Sequence, residues 1–163
     1  MLMTPEPMAG HLTEPHEIGK QIEVELALVA HIERALLTAL GWRTGGGGNI
    51  RKLSTLRFVA RSFERHLTRL RVLSEYGGYM NVVLETKPHL ASEVRSLKEA
   101  RDTLHARLER IILRLEHVVP NDAAAFDALC AELERYLDDL SSHGHAESEL
   151  LQHSFAQEEG GSG

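Results

Sequence analysis

Apolar residues recur along this chain at the three-four spacing of helices buried along one stripe. The clearest run is the last. Phe126, Leu129, Leu133, Tyr136, Leu140, His143, Glu147 and Leu150 follow one another at intervals of 3, 4, 3, 4, 3, 4 and 3. Leu56, Val59, Phe63, His66, Leu70 and Leu73 repeat the pattern, and so do Val94, Leu97, Leu104, Leu108, Ile111 and Leu115, with Arg101 on the same seam. Nearer the start, Ile18, Ile22, Val29, Ile32, Leu36 and Leu40 share a face that Val24, Leu28 and Ala35 are expected to widen. The pattern predicts helices over about 14–41, 50–74 and 89–118, and a fourth ending near Phe155.

The residues between these runs punctuate them. Thr13, Glu14 and Pro15 supply a capping hydroxyl, an early acid and a proline in the first turn. Trp42-Arg43-Thr44 and the run Gly45 to Gly48 end the first helix; with no preceding strand and no Gly-Lys-Ser/Thr, those glycines read as a flexible connection rather than a phosphate loop. Glu75-Tyr76-Gly77-Gly78-Tyr79 interrupts the second pattern, and Met80 to Leu84 adds a short helical turn before Lys87-Pro88. Pro120-Asn121-Asp122 is a stop followed by a fresh cap. Four amphipathic segments with short connections and no strand signal predict an all-α, up-down-up-down four-helix bundle. It would form one domain over 13–155, between a disordered lead-in at 1–12 and a flexible tail at 156–163.

Composition narrows the function classes. The 163 residues are 42% hydrophobic and 26% charged, which is globular, and the net charge of −6 argues against a nucleic-acid binder. Arg57, Arg61, Arg65, Arg69 and Arg71 are therefore read as a solvated stripe matched to acids on neighbouring helices. No apolar run reaches membrane-span length, the N-terminus lacks a secretory apolar stretch, and one cysteine, Cys130, fits a reducing, cytoplasmic setting. Cys130 flanks the last seam and is expected to be a small buried hydrophobe. There is no Ser/His/Asp order, nucleophile elbow or cofactor loop, so an enzyme is the less supported class.

The candidate chemistry lies where polar residues interrupt seams. His143 and Glu147 sit one turn apart on the last seam, where a buried imidazole and carboxylate need partners; a metal ion would supply them. His66 occupies a seam position on the second helix. His105 lies on the flank of the third, four residues before Glu109, and His31 at the edge of the first face. His11, His16, His89, His145 and His153 fall in loops or on solvated faces.

The chain resembles the hemerythrin-like (HHE cation-binding) domain family, in a bacterial branch with degenerate ligand motifs. The resemblance rests on Glu75-Tyr76-Gly77-Gly78-Tyr79-Met80, on Pro88 followed by the Val94…Leu97 helix, and on Leu140-x-x-His143-x-x-x-Glu147-x-x-Leu150-Leu151-Gln152-x-x-Phe155. It implies a four-helix bundle around two non-haem iron ions, used for oxygen binding, oxygen or redox sensing, or iron handling. His143 and Glu147 match the fourth-helix pair, and His31 falls near the first-helix histidine. Leu70 and Ser74 stand where the family places a His and a Glu on its second helix, and the third-helix Glu-His pair falls on Ala100-Arg101, so these expected ligands are missing and Arg101 brings a positive charge to the cation position.

Two readings follow. His66 is displaced by one turn from Leu70, and His105 by one turn from Arg101, in the same direction along a bundle. A displaced site of His66, His105 and His143, with Asp139 or Glu109, would suit one Fe or Zn ion. In the rival reading no metal is bound: Arg101 pairs with Glu147, His143 hydrogen-bonds nearby, and the bundle is an interaction or regulatory module with a protein partner. Leu26 and Leu37, at the edges of the first helix, would pair two subunits in a homodimer or lie on the surface of a monomer.

Overall fold

The computed structural model describes residues 15–43 and 48–159. The expected lead-in, the cap at Thr13 and Glu14, most of the glycine run and residues 160–163 lie outside them. Among the described residues all regular structure is helical: α1 (Pro15–Leu40), α2 (Gly48–Gly77), α3 (Tyr79–Thr86), a 3-10 turn (Pro88–Leu90), α4 (Ala91–His117) and α5 (Ala123–Glu159). The short turn expected after Met80 is thus a two-turn helix, and α5 runs four residues beyond Phe155.

The seams form the core. Leu36, Leu53, Leu56, Phe63, Leu108, Ile111, Phe126, Leu133 and Tyr136 are almost fully buried and join α1, α2, α4 and α5 in one cluster. A second cluster gathers Met80, Val83, Leu90, Val94 and Leu150, and so packs α3 and the 3-10 turn onto the start of α4 and the last part of α5. Gly78 separates α2 from α3 in extended backbone. A Cβ there would overlap the Ser74 carbonyl oxygen, so the chain can leave α2 at this point only as glycine.

One expectation about α1 is corrected. Val24, Leu28 and Ala35 are exposed rather than part of the buried face. Packing chiefly against α2, α1 buries the arc through Val29, Leu36, Ala39 and Leu40, and Glu25 takes the place in that arc that Val24 was expected to widen.

Cations on α2 finish the ends of two other helices. The last carbonyls of a helix have no partner within it. Buried Lys52 donates through Nζ to Leu40 O (2.8 Å) and Trp42 O (3.0 Å) at the end of α1. Arg57 donates through Nε to Leu115 O (2.6 Å) and through Nη2 to Glu116 O (3.2 Å) and Val118 O (3.1 Å) at the end of α4. At the start of α5 the expected cap is present: Asp122 Oδ1 accepts from the Ala125 amide at 3.1 Å. The remainder of the basic stripe is largely matched to acids: Arg61 to Glu116, Arg69 to Glu25, and Arg71 to Asp102 and Glu75. No described helix is long and apolar enough to cross a membrane.

Candidate functional site

The polar seam residues come together as two clusters, each a glutamate held by a histidine and an arginine. In the first, Arg101 on α4 reaches across to α5 and donates through Nη2 to Glu147 Oε1 at 2.6 Å. His143 Nε2 lies 2.8 Å from the same oxygen, the i,i+4 spacing on α5 bringing the ring over the carboxylate. The side chains of Arg101, Glu147 and His143 keep 23%, 19% and 9% of their exposure. In such a setting a carboxylate without a cation or hydrogen-bond donor is costly, and here it has both.

The second cluster joins α1 and α2. Glu25, its side chain 5% exposed, presents Oε2 to His66 Nδ1 at 2.9 Å and Oε1 to Arg69 Nε at 3.0 Å. Each carboxylate oxygen therefore has a donor, and Arg69 extends outward so that its remaining donors reach water. Glu25 is absent from the residues that the apolar pattern singles out, yet spacing marks it: it fills the gap between Ile22 and Val29 on the first seam, three residues after one and four before the other.

The expected ligands divide as follows. His143 and Glu147 are brought together, with Arg101 on the oxygen they share. His66 is paired to Glu25, and His105 Nε2 to Glu109 Oε1 at 3.3 Å. His31 is exposed on α1. Asp139, weighed as a further ligand, pairs with Arg107. Among the described residues no three His, Cys, Asp or Glu side chains are arranged to hold a metal ion. In this arrangement the residues do not fit a two-iron centre: one candidate ligand is solvated, three have separate carboxylate partners, and a guanidinium contacts the Glu147 carboxylate.

Burial shifts three other groups. It raises the Glu33 carboxyl, and it raises the Cys130 thiol, with Lys52 pulling back and Asp127 and Glu134 adding to the rise. The Tyr136 phenol is also pushed well up, first by burial; Arg107 opposes the shift, and Glu33 and Glu64 reinforce it. A buried thiol of raised pKa is a packing residue rather than a nucleophile.

No family model, curated protein or solved structure matches this chain.

Proposed function

We propose that this protein is a metal-independent, hemerythrin-like helical bundle acting as an interaction or regulatory module, with Arg101 standing in for the cation. The observation that carries this reading is the 2.6 Å contact from Arg101 Nη2 to Glu147 Oε1, on the carboxylate that His143 also contacts. A divalent ion bound there would face a guanidinium at close range, and two cations a few ångströms apart in a half-buried site repel strongly.

Ion pairs support the up-down-up-down order. From Arg101–Glu147 through Arg107–Asp139 to Arg114–Glu132, numbers rise along α4 as they fall along α5. Glu25–His66 and Leu40–Lys52 give the same relation for α1 and α2. An interaction role is supported by large apolar side chains left in solvent on α1 and α2, among them Val24, Leu26, Ile50 and Phe58. The single buried thiol supports a reducing, cytoplasmic setting.

The test is metal content by elemental mass spectrometry, on full-length protein grown with iron and zinc and purified without tag or chelator. The expected result is no stoichiometric ion and a melting temperature unchanged by EDTA. One or two ions per chain, with a chelator-sensitive melt, would overturn the reading in favour of a metal site.

A further inference from the structure

Along α1, five exposed residues stand at offsets symmetric about Ala30. At seven and four residues before Ala30 stand Glu23 and Leu26; at four and seven after it stand Arg34 and Leu37. These offsets keep all five within one stripe of an α-helix. All five are exposed, and the two leucines keep 52% and 48% of their surface in solvent. The stripe lies beside the arc that α1 buries through Val29, Leu36 and Leu40, with its leucine edge nearer that arc. Large apolar side chains placed regularly along an exposed helix, with small alanines between them, are the composition of a helix–helix contact.

We propose that α1 pairs with α1 of a second copy of this chain, antiparallel, about a twofold axis at Ala30. The charges select this occupant. In an antiparallel twofold pair, residues on one side of the stripe meet residues on the same side of the partner's stripe. Glu23 and Arg34 share one side, Leu26 and Leu37 the other. Turning a second copy end over end about Ala30 sets each Glu23 three residues, about 4.5 Å along the axis, from the partner's Arg34. It sets each Leu26 the same distance from the partner's Leu37. Both relations occur twice by symmetry, and a parallel pair would instead set Glu23 against Glu23 and Arg34 against Arg34. Ala30 at the crossing and Ala27 beside it admit the close axis separation, about 8 Å, of small-residue contacts. Among the described residues Arg34 Nε donates to the Ala30 carbonyl of its own helix, at 3.4 Å, and the side chain is exposed on the stripe that would meet Glu23 of the second copy. The 26-residue length of α1 gives about 39 Å of helix for the contact.

The experiment is sedimentation equilibrium of the full chain with three sets of variants. The native protein is expected to show twice the chain mass, and Ala30→Arg the single-chain mass with unchanged helical circular dichroism. Glu23→Arg is expected to raise the dimer Kd by about tenfold or more, and Glu23→Arg/Arg34→Glu to restore it. As a check independent of folding effects, Ala30→Cys faces itself across the axis and is expected to oxidise to a covalent dimer, whereas Val24→Cys, exposed but off the stripe, is not. A native single-chain mass, a dimer indifferent to Ala30→Arg and to charge reversal, or equal crosslinking at both cysteines would overturn the proposal. None of these readings depends on metal content, so the dimer and the metal-independent module stand or fall separately.

Discussion

Arg101 and Glu147 meet across α4 and α5, Nη2 to Oε1 at 2.6 Å, from positions that the heptad pattern reserves for apolar side chains. The pair is sheltered but keeps about a fifth of its surface in water. Removing one partner therefore strands a partly desolvated charge rather than a wholly buried one. Arg101→Met, which keeps the stem and removes the donors, is expected to cost about 1–3 kcal/mol. The measurement is the urea midpoint with an unchanged m-value; a midpoint equal to native would show that the pair contributes nothing.

The second cluster permits a cleaner partition. His66→Leu leaves the Glu25 carboxylate buried with only an outward-reaching Arg69, and is expected to cost about 1–3 kcal/mol. Glu25→Leu should cost less, because Arg69 can turn to water. Removing both charges of a buried pair in favour of apolar groups is often neutral or stabilising, so Glu25→Leu/His66→Leu is expected to be at least as stable as native. A double variant as unstable as the sum of the singles would mean that the two residues do not interact energetically.

Much of this arrangement can be read from spacing, and the parts that cannot have physical reasons. The α5 seam correctly orders burial from Phe126 to Tyr136, and it opens where the polar pair His143 and Glu147 begins. Seam residue Arg101 does find a carboxylate. Periodicity fixes which face a residue occupies but not how far the neighbouring helix covers it: Val24 and Leu28 look like core and are exposed because α2 covers the other side of α1. Glu25 is not singled out by the apolar pattern, because a charged residue inside an apolar run reads as an interruption. Among the described residues it is the most buried acid, held by partners some forty residues away. Lys52 and Arg57 carry no sequence mark of their roles, because the carbonyls they cap belong to helices set against them only by tertiary packing.

Those two caps should be unequal to the surface pairs around them. Lys52→Met and Arg57→Met keep much of the apolar stem but leave helix-terminal carbonyls without donors. Each is expected to cost about 1–3 kcal/mol, with the larger loss at Arg57, which serves three carbonyls. Arg61→Ala, which removes a mostly exposed partner of Glu116, is expected to stay within about 0.5–1 kcal/mol of native. Denaturant titration of the three variants gives the order, and an Arg61 loss as large as that at Arg57 would contradict it.

Glu33 predicts a pH dependence whose sign is opposite to that of a salt-bridged acid. Burial raises its carboxyl above the ordinary value of 4.5, so the folded state holds the proton more tightly than the unfolded chain does. The stabilisation from that proton is complete below the unfolded value and is lost as pH rises through the folded one. At neutral pH the ionised carboxylate is thus an unfavourable element of the fold, beside a Tyr136 phenol that its charge pushes further up. Glu33→Gln keeps the shape and removes the charge. It is expected to melt above native at pH 7, with the difference closing as pH falls below the ordinary carboxylate range, where native Glu33 is protonated folded and unfolded alike. Paired thermal melts across that range read the effect directly. A variant that melts at or below native at pH 7 would show that solvent already compensates the charge.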